Sequence, residues 1–361
     1  MIENKFLPKA YTHAISGSSV GYESPSNIAL IKYWGKYGNQ LPKNPSISFT
    51  LNTCKTQTRV SFQKLEKSKK GSFDFEIYLD GEPKPGFEPK IEQFFHRIED
   101  YVPFISEYKF KIATSNSFPH SSGIASSASG MSALALCLME MEKQLQPNMS
   151  VDHFNEKASF LARLGSGSAC RSLTGPLVVW GEHEEFRGSS NLYGVKFSHE
   201  LHPVFEDYQD TILMVDKGEK QVSSTVGHNL MNNHPFAPAR FDQAYMHMTD
   251  IVPILKSGDL DAFMHLVERE ALTLHAMMMT SSPYFILMKP NTLQVIEKIW
   301  NFRRETGTPV SFTLDAGANV HVLYPAAETE KVLDFIKNEL VKYCQNGQYI
   351  CDNVGNGARK L

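Results

Sequence analysis

Four short stretches of the chain combine residue types and spacings that chemistry needs. The first is PSNIALIKYWGKY, Pro25 to Tyr37, where Lys32 and Lys36 stand four apart with Tyr33, Trp34 and Gly35 between them. Two cations beside aromatic walls, with a glycine that permits unusual backbone angles, suit an anionic ligand. The same residues would also make a surface stretch of long lysine stems anchored by Trp34. The second is SFPHSSGIASSASG, Ser117 to Gly130, a run of small residues leading into a helix. Backbone N–H groups at a helix start hold phosphate through unpaired donors and the helix dipole. The hydroxyls of Ser126 and Ser127 can reach a phosphate or a Mg2+ ion. No GxxxxGK[ST] occurs, so this is not a Walker A loop.

The third stretch is GSGSACRS, Gly165 to Ser172. Its Ser166, Ser168 and Arg171 can hold a carboxylate or phosphate, the guanidinium offering a two-toothed fork; the plainer alternative is a helix-to-strand turn with a surface arginine. The fourth is SFTLDAGAN, in which Asp315 is the single Asp, Glu, Lys or Arg between Thr306 and Ala327. A lone carboxylate at the end of an apolar strand is commonly perturbed or paired with a cation, as in many active sites. A turn-forming Asp before Ala-Gly is the other reading.

Other chemistries are disfavoured. The five cysteines are odd in number and dispersed, without CxxC, which argues against a disulfide framework or a thiolate zinc site. Thirteen histidines include no HExxH, so metal-dependent hydrolysis through protein ligands has no support. Thirty-six basic against 39 acidic residues leave a net charge of −3, unlike a nucleic-acid binder. The balance is uneven, however. Ser24 to Leu65 holds six basic residues and no acid, and Ala113 to Met139 and Arg163 to Gly181 hold no acid either. Positive potential is therefore expected around the first three stretches.

Elements must position these groups. The chain has 361 residues, 42% of them hydrophobic, which fits about two domains, each able to bury its own core. Thr56 to Phe62, Phe73 to Leu79 and Tyr108 to Ala113 alternate as strands, with a turn at Asp80-Gly81. The second stretch runs into a helix with Met131, Leu134, Ala135, Leu138 and Met141 on one face. Asp152 is the expected N-cap of a second helix ending at Gly165, followed by a strand from Pro176 to Trp180. Polar sequence from Gly181 to about Asp210 marks a boundary. Beyond it come a strand at Thr211 to Val215, helices at Phe241 to Lys256 and Leu260 to Met279, strands at Val310 to Leu314 and Asn319 to Tyr324, and a last amphipathic helix from Glu328 to Tyr343. The class is α+β, in two halves. No apolar run approaches the roughly 18 residues of a membrane span. The first residues, MIENKFLPKAYTH, lack an apolar signal core, so a cytoplasmic protein is expected.

Taken in order, the stretches resemble the GHMP small-molecule kinase superfamily and, within it, the mevalonate diphosphate decarboxylase family. NIALIKYWGK is similar to that family's N-terminal signature, SNSFPHSSGIASSASG to its Ser-rich ATP loop, and GSGSACRS to its substrate loop. VSSTVG (Val222 to Gly227) is similar to its second-domain motif, and TLDAGAN to its catalytic aspartate segment. The resemblance implies a two-domain GHMP-kinase fold. Residues 1–205 would form an N-terminal domain like domain 2 of ribosomal protein S5, and 206–361 a ferredoxin-like C-terminal domain, with the site in the cleft between them. It also implies ATP with Mg2+, mevalonate 5-diphosphate as substrate, and a homodimer without nucleic-acid or membrane partners.

The implied reaction is ATP-dependent decarboxylation to isopentenyl diphosphate in the mevalonate pathway. By the resemblance, Asp315 faces the 3-hydroxyl as base or orienting group, Lys32 lies near the transferred phosphoryl group and offsets the charge of Asp315, and Arg171 holds the C1 carboxylate. Asn27, Tyr33, Trp34, Gly35, Lys36, Ser166, Gly167, Ser168, Ala169, Cys170, Ser224 and Thr225 would bind substrate or order its site. Ser115, Asn116, Ser122, Gly123, Ala125, Ser126 and Ser127 would serve the nucleotide, Ser127 touching magnesium. The sequence departs from the family pattern at His120 in the ATP loop, at His228, where a Met is common, and in SLTGP after Arg171. Lys90 is a candidate for a further basic diphosphate contact. The alternatives are a relative that stops at 3-phosphorylation, one that takes the monophosphate, and a non-catalytic ATP-binding sensor.

Overall fold

The protein is seen in a computed structural model, which describes residues 3–8, 10–119, 124–216 and 224–361, the side chains of 224 and 225 excepted. The strands are β1 (Gly17–Ile31), β2 (Lys36–Tyr37), β3 (Leu41–Pro42), β4 (Ser46–Lys64), β5 (Asp74–Leu79), β6 (Glu82–Pro83), β7 (Tyr108–Asn116), β8 (Leu177–Trp180), β9 (Val195–Lys196), β10 (Gln209–Leu213), β11 (Ser311–Thr313), β12 (Val320–Tyr324), β13 (Tyr349–Asn353) and β14 (Arg359–Lys360). The helices are α1 (Glu88–Ile98), α2 (Ser126–Leu145), α3 (Val151–Gly165), α4 (Ser224–Asn229), α5 (Ala237–Ser257), α6 (Leu260–Met279), α7 (Pro290–Thr306) and α8 (Thr329–Phe335).

A first sheet runs β14-β1-β4-β7-β5-β6, with β8 added to the start of β4 and β9 to β8; a second runs β11-β12-β10-β13. The two long strands explain how one sheet serves two purposes. Along β4 the burial alternates from Cys54 to Phe62, as in a half-buried strand, whereas Ser46 to Leu51 are all buried. In that fully covered part Ile28 pairs with Phe49, while Asn27 pairs with Thr50 and Ala29 with Ser48. Apolar residues thus face one way, and small or polar residues face the other.

The apolar side, Ile28, Leu30, Ile47, Phe49 and Leu51, shares a core with Met248, Ile251, Leu255, Phe263 and Val267 of α5 and α6 and with Ile212 of β10. The expectation of two self-contained cores is therefore corrected: one core spans both halves of the chain. A second cluster packs α1, α2 and α3 on the other part of the first sheet, and a third joins α7 and α8 to the second sheet. The carboxy-terminal segment returns to the first sheet, where Arg359 and Lys360 pair with Glu23 and Tyr22.

Other sequence expectations also shift. Ser150, not Asp152, caps α3, its hydroxyl accepting from the His153 N–H at 3.2 Å; Asp152 lies in the first turn, where its charge suits the dipole. Helix α2 is buried well beyond one face, since Ala133, Leu136, Cys137 and Met139 are covered as well. The expected last helix is α-helical only to Phe335 and continues through a π turn at Ile336–Leu340 and a 3-10 turn at Val341–Tyr343. Helices α1, α4 and α7 and strands β13 and β14 were not anticipated. Among the described residues no helix is long and apolar enough to cross a membrane.

Candidate active site

Lys32 follows directly on β1, and Asp315 lies in the turn between β11 and β12. The two meet with Nζ 3.2 Å from Oδ1. Both line a cavity of about 500 Å³ between the halves of the chain. The lysine side chain is 2% exposed and the carboxylate 29%, so the carboxylate is the member open to the cavity. Burial pushes the Lys32 ammonium below its ordinary value, and the charge and hydrogen bond of Asp315 oppose that.

Arg171 closes another wall. It ends a 3-10 turn, Gly167–Arg171, that follows α3, and its guanidinium lies 5.8 Å from the Trp180 ring centroid. Its Nη1 donates to the Ser46 hydroxyl and its Nε to the Asn27 side-chain oxygen at 3.4 Å. These are neutral acceptors, and among the described residues no carboxylate stands at ion-pair distance. Burial pushes its pKa below the usual value, with Asp315 acting the other way. A buried guanidinium held by neutral groups is suited to receive an anion.

The segment after Lys32 forms a stacked wall. The His228 ring lies 4.3 Å from Tyr33 and 4.6 Å from Trp34, and its Nδ1 accepts the Gly35 N–H at 2.9 Å. Gly35 has φ +98°, a conformation that favours glycine. A Cβ on Gly227 would come within 2.6 Å of the Trp34 ring, so a glycine before His228 lets α4 approach it. Burial, aided by Lys36 and Arg171, pushes His228 down to about 3, so it is neutral at physiological pH with its proton on Nε2. Lys36 donates to Gln40 at 2.8 Å; burial and then the charge of Arg97 lower its pKa.

Of the residues singled out by sequence, Lys32, Tyr33, Trp34, Lys36, Ala125, Ser127, Ser166, Gly167, Ser168, Arg171 and Asp315 line this cavity. Asn27, Gly35, Ala169 and Cys170, expected as substrate contacts, do not. Asn27 is buried and donates to the Ser168 carbonyl and Ser172 hydroxyl; Cys170 is buried, with Sγ directed to the Gly167 carbonyl. They brace the wall from behind. Ser126 and Asn116 border a second, smaller cavity of about 170 Å³, which shares Lys90 and Ser127 with the first. Ser115 faces a different hollow, beside Lys55 and Arg359. His120, Ser122, Gly123 and the side chains of Ser224 and Thr225 lie outside the described residues.

Sequence reasoning missed Gln40, Gln93, Arg97, Leu274 and Ala316 in the lining. Lys90, Gln93 and Arg97 share one face of α1, flanking the buried stripe of Ile91, Phe94, Phe95 and Ile98. That apolar spacing was the available signal. Among the described residues, the lining brings five cations (Lys32, Lys36, Lys90, Arg97, Arg171) to face one carboxylate; Lys32, Lys36 and Arg171 come from the acid-free windows, Lys90 and Arg97 from outside them. Among the described residues no group of three His, Cys, Asp or Glu is placed to hold a metal ion.

An α+β fold with two main sheets, a cation-rich cleft, a helix start of small residues and a Lys–Asp pair at the junction defines an ATP-dependent enzyme of the GHMP class. Residues 24–192 match the diphosphomevalonate decarboxylase-like N-terminal domain, and 211–357 the mevalonate 5-diphosphate decarboxylase C-terminal domain. The diphosphomevalonate decarboxylase of Ganoderma lucidum is 31% identical over 350 residues, 92% of this chain and 84% of that protein. Mevalonate diphosphate decarboxylase from Staphylococcus aureus superposes with a TM-score of 0.80 at 28% identity, covering 96% of this chain and 98% of that one. MDDEF in complex with MVAPP, AMPPCP and magnesium gives 0.80 at 27%, covering 96% and 99%. The chain belongs to the diphosphomevalonate decarboxylase family and is an ATP-dependent decarboxylase of mevalonate diphosphate.

Proposed function

We propose that Asp315, Lys32 and Arg171 carry the reaction, in which mevalonate 5-diphosphate and ATP give isopentenyl diphosphate, ADP, phosphate and CO2. The observation that supports this most is the 3.2 Å Lys32–Asp315 pair at the meeting of the two halves, in a cavity that also presents Arg171. Hydroxide leaves carbon poorly, so the 3-hydroxyl must first become a phosphate. Asp315 accepts the hydroxyl hydrogen bond and orients or deprotonates that oxygen as it attacks the γ-phosphorus. Lys32 offsets the charge on Asp315 and on the phosphoryl group in transit. Arg171 holds the C1 carboxylate. When the phosphate then leaves C3, the electrons of the C1–C2 bond become the C2=C3 double bond and C1 departs as CO2.

The residues present fit ATP and magnesium. Helix α2 opens with Ser126 and Ser127 after Ala125 at φ +44°, and its first N–H groups have no partner within the helix. Ser127 supplies a hard hydroxyl oxygen, and magnesium sites of this kind rely on substrate phosphates for most of their ligands. Bound magnesium supplies charge neutralisation at the phosphates. The smaller cavity, walled by Ile77, Leu79, Phe87 and Met131 with Thr58 and Thr114, suits the adenine ring. The remaining cations, Lys36, Lys90 and Arg97, suit the substrate diphosphate.

The division between domains falls near 205/206, supported by the polar stretch before β10 and by a second sheet built from residues beyond it. A cytoplasmic setting is supported by five unpaired cysteines, Cys351 being exposed. A homodimer is supported by the resemblance and by large apolar side chains such as Tyr284 and Ile286 left at the surface; sedimentation reads it. Comparing mevalonate, its 5-phosphate and its 5-diphosphate tests the substrate: the highest kcat/KM belongs to the diphosphate, and a preference for either of the others overturns that assignment.

A further inference from the structure

Lys32 lies one residue beyond the end of the β1 ladder, whose last pair is Ile31 with Ile47. Its backbone is held by side chains instead. The Lys32 N–H donates to Glu270 Oε2 at 2.8 Å, and its carbonyl accepts from Asn44 at 2.9 Å and Arg240 at 3.2 Å. Glu270 is fully buried and binds the same Arg240 through both oxygens, at 2.8 and 2.5 Å; His247 Nδ1 stands 2.5 Å from Oε1. Burial acts to raise the Glu270 pKa, but Arg240, the His247 bond and the Lys32 N–H outweigh it and hold the carboxyl down to about 2. Five residues further along α6, His275 Nε2 lies 3.1 Å from the Asp315 carbonyl. Burial pushes this imidazole down to about 4, so it is neutral and donates that bond. Leu274, between them, lines the cavity. One helix therefore grips the backbones of both members of the pair, at points about 7.5 Å apart along its axis.

We propose that α6 aligns the pair: Glu270 through the Lys32 N–H and His275 through the Asp315 carbonyl are positioning residues that set the register in which Nζ meets Oδ1. This rests on the assignment of Lys32 and Asp315 to the chemistry. Neither α6 residue touches substrate. Their effect reaches the reaction through placement, where a shift of about 1 Å can cost about 10²-fold in rate. The arrangement also makes the site depend on the packing of α6 against the end of β1, because neither half of the chain holds Lys32 alone.

The test uses the full-length enzyme with Mg·ATP and mevalonate 5-diphosphate. His275→Leu removes the donor, His275→Gln keeps an amide N–H, and Glu270→Gln weakens the hold on Lys32. The expected result is a fall in kcat of about 10–100-fold for His275→Leu and Glu270→Gln, with both KM values within about threefold. His275→Gln recovers most of the loss. In an Asp315→Asn background His275→Leu adds little, since a partner already lost cannot be misplaced. Folded His275→Leu or Glu270→Gln enzymes with unchanged kcat, losses confined to KM, or losses of His275→Leu that simply add to Asp315→Asn overturn the inference. If His275→Leu does not fold, Glu270→Gln decides by the same split, a near-native kcat overturning the inference. An active Asp315→Asn enzyme instead defeats the underlying assignment of the pair, whereas an inactive one beside fully active α6 variants defeats only this inference.

Discussion

The Lys32 ammonium and the Asp315 carboxylate meet at 3.2 Å across 283 residues of chain, the cation buried behind and the carboxylate facing the cavity. Burial alone would drive the lysine toward its neutral form, and Asp315 is the largest influence opposing that. Each partner stabilises the charge of the other, and the carboxylate is the member that the cavity reaches.

Asp315→Asn keeps the shape and removes the charge. Turnover falls by at least ~10³-fold, the scale for losing a base together with a charge stabiliser, while the KM for mevalonate 5-diphosphate changes only a few-fold. Steady-state kinetics check this, and a kcat near that of the native enzyme refutes the role.

Arg171→Ala leaves the substrate carboxylate without its fork. Binding of mevalonate 5-diphosphate weakens by about 2–4 kcal/mol, measurable by calorimetry. Arg171→Lys recovers only part of this, because an ammonium lacks the planar fork. An unchanged affinity contradicts the assignment.

Ser127 lies at the start of α2, 3.4 Å from the Ser166 hydroxyl, and borders both cavities. Ser127→Ala raises the KM for Mg·ATP by about 10–100-fold, the worth of one hydrogen bond to a charged group. The KM for mevalonate 5-diphosphate moves much less. A larger effect on the second substrate reverses the assignment of the two cavities.

Two buried imidazoles give the fold an acid sensitivity. His228 and His275 titrate at about 3 and about 4 in the folded chain against 6.5 when unfolded. The unfolded state therefore takes up their protons first as pH falls. Their contribution is complete above about pH 6.5 and is lost progressively toward pH 4 and below, by about 2 kcal/mol each at pH 5. Urea denaturation at pH 8 and pH 5 reads the change. His275→Gln reduces the difference by about half of what the two histidines supply, and an unaltered slope contradicts it.

Motif-bearing residues were legible because their chemistry constrains residue type locally. The acid-free windows around Lys32, Ser127 and Arg171 marked the cationic cleft, and the solitary charge of Asp315 marked its carboxylate. Helix α6 was placed at its observed bounds by its apolar spacing. Its functional content was not visible, since Glu270 in a run such as LVEREALTLH reads like a solvated charge until Arg240 and Lys32 are seen around it. Long-range pairing was hidden for the same reason: nothing local in Arg359 and Lys360 announces a strand beside β1. The fully covered stretch of β1 lacks strict alternation because it is packed on both faces. His228, where the resemblance led to an expectation of Met, became intelligible only through its two aromatic neighbours and the Gly35 N–H.

The central claim is that one cavity couples phosphoryl transfer to carbon–carbon cleavage. Incubating the enzyme with Mg·ATP and mevalonate 5-diphosphate labelled at C1, and counting CO2, ADP and phosphate in the same samples, tests it directly. Equal amounts of the three products are predicted at every time point after the first turnover. ADP accumulating without CO2 would contradict it and leave a kinase that stops at the 3-phosphate.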